Sequence, residues 1–275
     1  MQSIRPIFVT GACSGIGLAL CKRLESAGQH VVSIDKNDRS SELNSLDHWT
    51  CDLSNPNDVD TLIADLVSSY DLTLAGSLIN VAGVPGTIAS DSVIEVNTLA
   101  VRKLSRAFAS WLSPGSSIVN VGSISGNGWQ QRIETHKEFL ALSDKDARSW
   151  WLDRENSIGI DSYSFSKEAL IVWTMRQAGE LLGRGIRCNI VSPGPVETPL
   201  LPAFRKQIGD ERLDWVISHA GRPAFSDEIA QAIEWLSTGE SSWVNGHHLV
   251  VDGGYTSGLL SGWLDTTNAP PTRTS

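Results

Sequence analysis

The stretch Tyr163-Ser164-Phe165-Ser166-Lys167 sets a phenol and an ammonium four residues apart, at the head of the apolar run Ala169-Leu170-Ile171-Val172-Trp173. On a helix, residues i and i+4 share a face, so the two polar tips can meet in one small volume while the rest of the helix is buried. A packed tyrosine beside a snorkelling lysine gives the same pattern, so the pair needs a companion site before it means chemistry. Thr10-Gly11-Ala12-Cys13-Ser14-Gly15-Ile16-Gly17 supplies one: it follows the short apolar run Ile7-Phe8-Val9 and opens into a helical pattern bearing Leu18, Leu20 and Leu24. Glycines at a strand-to-helix turn let the backbone approach a pyrophosphate, which the free N–H groups and positive dipole end of the helix then hold. The next apolar run, His30 to Ile34, ends on Asp35, 18 residues beyond Gly17. That is close to the spacing of about 20 at which an acid accepts hydrogen bonds from an adenosine ribose. A carboxylate there repels a 2′-phosphate, so the expected cofactor is NAD rather than NADP; Lys36 and Arg39, just behind it, reduce that contrast.

The elements that must position these groups follow from the alternation of short apolar runs with longer stretches of helical period. Runs at Ile7–Val9, His30–Ile34, Ser77–Val81, Ser117–Val121, Ile186–Val191 and His248–Val251 are separated by helical patterns at Ile16–Leu24, Val59–Leu66, Val93–Leu112, Tyr163–Leu182 and Glu228–Leu236. This βαβα order predicts an α/β fold with a doubly wound parallel sheet of seven strands. One domain is expected over 1–265, interrupted at about 127–160 and at about 195–226, with a polar, Pro-containing mobile tail over 266–275.

Composition narrows the partners. The 275 residues are 41% hydrophobic and 19% charged, with a net charge of -9 and a pI of about 5.1. That leaves no electrostatic footprint for nucleic acid or an anionic membrane surface. No apolar run reaches the roughly 20 residues that span a bilayer. Cys13, Cys21, Cys51 and Cys188 lie far apart without CxxC spacing, and the first residues are too short an apolar stretch for a signal peptide, so a reduced, cytoplasmic protein is expected. The histidines are scattered and imply no metal site.

With the glycine loop, Asp35 and Tyr163-x-x-x-Lys167 in order, nearly the whole chain resembles the short-chain dehydrogenase/reductase family. Asp52-Leu53, Asn80-Val81-Ala82-Gly83, Asn97, Ser123, Pro193-Gly194 and Asp252-Gly253-Gly254 fall in that family's order; Val81 stands where many relatives carry asparagine or alanine. The resemblance implies hydride transfer between a nicotinamide and an alcohol or carbonyl carbon, with the tetrad Asn97, Ser123, Tyr163 and Lys167. Tyr163 would take the hydroxyl proton. An adjacent ammonium and a cationic nicotinamide would favour its phenolate. Lys167 would also bond the nicotinamide ribose, Ser123 would donate to the substrate oxygen, and Asn97 would hold a water linking Lys167 to solvent. It further implies that Gly11, Ser14, Gly15, Ile16 and Gly17 cradle the pyrophosphate, Asp52 and Leu53 the adenine, and Asn80, Ala82 and Gly83 the adenosine side. Tyr163, Lys167, Pro193, Val196 and Thr198 would surround the nicotinamide end, and a homo-oligomer, dimer or tetramer, is expected. A non-catalytic NAD-sensing protein on this fold typically lacks the tyrosine or lysine, and a nucleotide-sugar epimerase or dehydratase usually carries a Gly-x-x-Gly-x-x-Gly loop and a longer C-terminal portion.

From Ser123 to Tyr163 the chain runs 40 residues, far more than most of the family places there. Trp129, Ile133 and Leu140 suit one helix, and Ser143-Asp144-Lys145-Asp146 a capping-box-like start to a second one carrying Trp150 and Trp151. A comparable insertion marks the subgroup that resembles coniferyl-alcohol dehydrogenases and bacterial 3α-hydroxysteroid dehydrogenase/carbonyl reductases, which implies an aromatic or cyclic substrate. Two readings of the insertion stand side by side: its tryptophans cover part of the substrate, or they pack the insertion onto the body. It is also expected to block a helix surface that relatives use for dimer contacts.

Overall fold

The computed structural model describes residues 5–45, 47–71 and 75–271. The start of the chain and the last four residues of the expected tail lie outside the described residues. Seven strands form one parallel sheet: β1 (Ile7–Thr10), β2 (Val31–Asp35), β3 (His48–Thr50), β4 (Ser77–Asn80), β5 (Ser117–Val121), β6 (Arg187–Pro193) and β9 (His248–Val251). Their spatial order is β3-β2-β1-β4-β5-β6-β9, and a small pair, β7 (Val196–Glu197) with β8 (Ala224–Phe225), stands apart. The central strands are buried throughout, which is why they read as unbroken apolar runs rather than alternating ones. The order reverses between β1 and β4, and the crevice at that switch point opens beyond the carboxyl ends of both strands.

Helices cover both faces. On one side α1 (Gly15–Ser26) and α10 (Ser226–Ser237) pack Leu20, Leu24, Ile229 and Ile233 against Val9, Val31 and Ile79. On the other, α2 (Pro56–Ser69) and α4 (Ala100–Trp111) pack Val59, Leu66, Leu104 and Phe108 against Phe8, Val32 and Leu78. Before α4 the chain runs through α3 (Ser90–Ile94) and one π-helical turn, Glu95–Leu99, that carries Asn97. Beyond the expected crossover helices, the 195–226 stretch folds into α8 (Leu201–Ile208) and α9 (Asp210–Ala220), and α11 (Tyr255–Ser261) closes the chain.

In helix α7 (Ser162–Leu181) every residue from Phe165 to Thr174 is buried, whichever side of the helix it lies on. A helix of that kind needs cover all round, and the insertion provides it. After a 3₁₀ turn at Trp129–Arg132 come α5 (Ile133–Ala141) and α6 (Asp144–Arg154). Ser143 caps α6 as its spacing predicts, its hydroxyl accepting from Asp146 N–H at 3.1 Å. Trp151 and Phe139 lie 4.8 and 5.2 Å from the Phe165 ring, centroid to centroid. Arg132 and His136 of the insertion donate to Glu168 of α7 at 2.8 and 2.7 Å. Burial alone would raise the Glu168 carboxyl, but the hydrogen bonds from His136 and Arg132 outweigh it and hold the group below its usual range. The insertion is thus an outer layer of core over α7. Trp151→Ala, which empties the middle of that shell, is expected to lower unfolding stability by about 3–5 kcal/mol, measurable by urea denaturation.

Candidate active site

A cleft of about 850 Å³ runs along the switch-point crevice from the β2 end to α9 and α11. Its inner wall is the glycine loop. Gly11 has φ +68°, and a Cβ on it would lie 2.7 Å from the Ala82 Cα; a Cβ on Gly17 would lie 2.0 Å from the Gly11 carbonyl oxygen. The loop therefore lies directly on the segment that follows β4, and side chains larger than hydrogen would push it off. Helix α1 begins there, its first turn carries no acidic side chain, and the Ser14 hydroxyl makes no cap bond. Free N–H groups, a positive dipole end and no competing anion fit a pyrophosphate. Asp35 ends β2 beside the loop. Its carboxylate accepts from Cys13 N–H at 2.9 Å and from the Asn37 N–H and amide at 3.0 Å each, which fixes its direction toward the cleft. Asp52, held low by hydrogen bonds from the Ser54 N–H and hydroxyl, lines the same end with Leu53 and Asn37.

At the other end, Ser123 follows β5 and Tyr163 begins α7. The Ser123 side chain faces the Tyr163 phenol, near enough to favour its phenolate, and its hydroxyl accepts from Ser125 N–H at 3.1 Å. Lys167 Nζ lies 5.7 Å from the Tyr163 ring centre and donates to the Val121 carbonyl at 3.0 Å. Burial pushes the phenol up to about 12 despite the nearby Ser123 hydroxyl, and brings the Lys167 ammonium down to about 8. The i,i+4 lysine thus does not by itself bring the phenol down in a site this dry.

Most residues expected at the site line the cleft: Gly11, Ser14, Gly15, Ile16, Gly17, Asp35, Asp52, Leu53, Ala82, Gly83, Ser123, Tyr163, Lys167, Pro193, Val196 and Thr198. Two do not. Asn97 stands behind the wall: its amide oxygen accepts from Val84 N–H at 2.9 Å, and its NH₂ donates to Val84 O and Ser166 Oγ at 3.0 and 3.2 Å. It still approaches Lys167 from the far side of Gly83, where an added Cβ would lie 3.3 Å from its oxygen and 3.4 Å from Lys167 Nζ. Asn80, expected on the adenosine side, sits one layer down. Its NH₂ donates to Asn120 Oδ1 at 2.9 Å, the Asn120 NH₂ to Thr174 Oγ1 at 2.9 Å, and Thr174 Oγ1 to the Leu170 carbonyl at 2.8 Å. That chain ties β4 through β5 to the helix bearing Tyr163 and Lys167.

The outer wall carries residues that no motif marks: Phe204, Gln207, Leu213, Tyr255 and Leu259. Phe204 packs 5.1 Å from the Tyr163 ring, and Gln207 fastens α8 over the cleft by accepting from Gly86 N–H at 2.9 Å. Of the insertion's tryptophans, none reaches the cleft. Trp150 and Trp151 are buried against α7 and Trp129 packs beside them, so the reading in which they cover the substrate gives way to the one in which they pack the insertion. Among the described residues no cluster of His, Cys, Asp or Glu could hold a metal, and no helix is long and apolar enough to cross a membrane.

A nucleotide cradle at a sheet switch point, joined to a half-buried serine beside a buried tyrosine–lysine pair, defines a dinucleotide-dependent oxidoreductase. The chain belongs to the short-chain dehydrogenase/reductase family: residues 5–134 match the short chain dehydrogenase family and 154–256 the related family described as enoyl-(acyl carrier protein) reductase. It is 38% identical to a coniferyl-alcohol dehydrogenase of Pseudomonas sp. (strain HR199 / DSM 7063) over 92% of this chain and 97% of that one. It is 29% identical to the 3-alpha-hydroxysteroid dehydrogenase/carbonyl reductase of Comamonas testosteroni over 90% and 95%. The crystal structure of the 3-alpha-hydroxysteroid dehydrogenase from Pseudomonas sp. B-0831 complexed with NADH superposes with a TM-score of 0.79 at 30% identity, covering 94% of this chain and all of that one.

The buried ammonium has a consequence for stability. Burial depresses Lys167 to about 8, so between pH 8 and the unfolded value near 10.4 the unfolded chain binds the extra proton and folding gains from rising pH. Below pH 8 the full cost of a buried charge is present. Lys167→Met is therefore expected to melt higher than wild type at pH 7 without cofactor, with the gap closing toward pH 10; scanning calorimetry across that range checks it.

Proposed function

We propose that the protein is an NAD-dependent dehydrogenase/reductase that moves a hydride between nicotinamide and the alcohol or carbonyl carbon of an aromatic or cyclic substrate. The observation that carries this reading is that Ser123, Tyr163 and Lys167 line one cleft, with the buried Lys167 ammonium 5.7 Å from the ring of the buried Tyr163. Apolar walls at Phe204, Leu213 and Leu259 suit a flat, hydrophobic substrate, and the names of the relatives support the same class.

When bound, NAD supplies a hydride acceptor and a cationic ring. Gly11 to Gly17 hold its pyrophosphate and Asp35 its adenosine ribose. Tyr163 accepts the alcohol proton at its phenolic oxygen during oxidation and returns it during reduction. Ser123 donates a hydrogen bond to the substrate oxygen and holds it beside the phenol. Lys167 keeps positive charge behind Tyr163 and reaches the nicotinamide ribose. Asn97 acts through others: it fixes Val84 and Ser166, the frame around Lys167, and is a positioning residue. Three buried cysteines and one half-buried, all unpaired, suit a reducing, cytoplasmic setting. The half-buried edge strand β9, the exposed Trp235 of α10 and the almost fully exposed Trp243 suit a homo-oligomer.

Incubation with NAD and a panel of cinnamyl and coniferyl alcohols, 1-arylethanols and hydroxysteroids, read by nicotinamide absorbance, tests the reaction class. Tyr163→Phe should lose nearly all turnover and keep NAD affinity, because only the oxygen is removed; turnover within about tenfold of wild type, a barrier change of only about 1.4 kcal/mol, overturns the assignment. Wild type should prefer NAD over NADP in kcat/KM, and Asp35→Ala should narrow that preference. A wild-type preference for NADP refutes the role given to Asp35.

A further inference from the structure

The outer cleft wall is apolar apart from a few groups, and one of these is a guanidinium. Arg212, on α9, lines the cleft with Leu213, Val216, Tyr255 and Leu259. Its Nη1 donates to the Pro270 carbonyl at 3.1 Å, its Nη2 donates to the Tyr255 hydroxyl at a long 3.4 Å, and its plane lies 4.9 Å over the Trp215 ring. Tyr255 and Trp215 are themselves packed edge to face, 5.9 Å apart. The side chain is held by neutral groups on one side and by an aromatic plate on the other.

The neighbouring arginines are placed differently. Arg205 on α8 pairs with Asp214 at 2.8 Å and with Asp210 at 3.4 Å, and Arg222, just after α9, pairs with Glu228 at 2.7 Å. Arg212 has no carboxylate within ion-pair distance among the described residues. Asp161, an acid at this end of the cleft, is occupied instead in capping α7 at Ser164 and in accepting from Gln207. A guanidinium carries five N–H donors in a planar fork that matches two acceptor oxygens. Two neutral acceptors, one of them distant, leave three of the five N–H groups without a partner among the described residues, on a side chain that lines the cleft.

We infer that Arg212 reads an anionic oxygen group, a carboxylate or a phenolate, on the end of the substrate remote from the carbon that exchanges hydride. The inference rests on the alcohol/carbonyl reading above and narrows it: the preferred substrate is an elongated aryl alcohol with an acidic oxygen at its far end. Hydrogen bonds to a charged group contribute about 1.5–3 kcal/mol, which corresponds to a preference of roughly ten- to a hundredfold for substrates that carry the group.

Three alcohols of one shape separate the sources of that anion: cinnamyl alcohol, 4-hydroxycinnamyl alcohol and 4-carboxycinnamyl alcohol, each assayed with wild type, Arg212→Met and Arg212→Lys. The readout is the ratio of kcat/KM for a substituted alcohol over cinnamyl alcohol within each protein, so any loss of folded enzyme cancels. The expected result is a wild-type ratio of about ten or more that falls at least tenfold in Arg212→Met, chiefly through KM, and lies between in Arg212→Lys. If the 4-carboxy ratio falls, the anion is a carboxylate; if only the 4-hydroxy ratio falls, and falls more at high pH, it is a phenolate. Ratios that change less than threefold in Arg212→Met for both substituted alcohols overturn the inference. Calorimetric titration of the NADH-loaded protein with 4-(hydroxymethyl)benzoate decides the matter independently of turnover. Binding at least tenfold weaker in Arg212→Met supports the inference, while equal affinity, or no binding to wild type, overturns it. Should none of the alcohols react in wild type, the reaction class fails and the titration still judges Arg212.

Discussion

The structure is organised around keeping an ammonium and a phenol out of water within reach of each other. Neither group is comfortable there: burial moves Lys167 down and Tyr163 up, each toward its uncharged form. What holds them is helix α7, and α7 can be buried on every side only because something covers every side. The sheet covers one face, α3 and the Glu95–Leu99 turn another, and the insertion, with Phe139, Trp150 and Trp151 around Phe165, covers the rest. The Arg132–Glu168–His136 cluster then pins that cover to the residue next to Lys167. Stability and reactivity meet in one helix, and part of the folding energy of the outer layer offsets the strain of two buried polar tips.

The cofactor end answers a different constraint. A pyrophosphate must lie almost on the backbone, so glycine is required where the loop meets Gly11 and Ala82. The acid that follows must end a strand that lies beside the loop in the sheet. Parallel pairing of β1 with β2 brings Thr10 alongside Ile34, which puts Asp35 at the glycine loop without any long-range adjustment. The catalytic end has no such shortcut: Ser123 and Tyr163 meet because β5 and α7 are set by separate packing surfaces.

These differences explain how much of the molecule could be read in its sequence. The sheet, the glycine loop, Asp35 and the Tyr163–Lys167 pair were legible because chemistry dictates both residue type and spacing there, whereas Ser123 was legible only through the family resemblance. The two insertion helices were legible from the Ser143 cap and the apolar period of Ile133 to Leu140. The side the insertion faces was not, since a tryptophan satisfies a core and a substrate pocket by the same burial of area. Asn80 was misplaced by one layer for a similar reason: an asparagine at a strand end offers the same amide to a cofactor or to a neighbouring strand, and only the position of Asn120 decides. The outer wall was invisible because Phe204, Leu213 and Leu259 are drawn from separate helices whose sequence separation is unconstrained, and many apolar side chains would serve.

The chain of amides from Asn80 through Asn120 to Thr174 and the Leu170 carbonyl has a meaning for anyone improving this protein by selection. Replacing buried, mutually bonded polar side chains with apolar ones of the same shape is nearly neutral for stability, or even favourable, the more so because the Asn80 Oδ1 has no partner to lose. A library ranked by melting temperature would therefore accept leucine or valine at these positions, and the chosen variants would be hardy. What they would lose is the rotational setting of α7 about its own axis, which the ladder fixes and greasy packing leaves to slide. Heat resistance and aim are separate heritable properties here, and only an assay of turnover would notice the second one drifting.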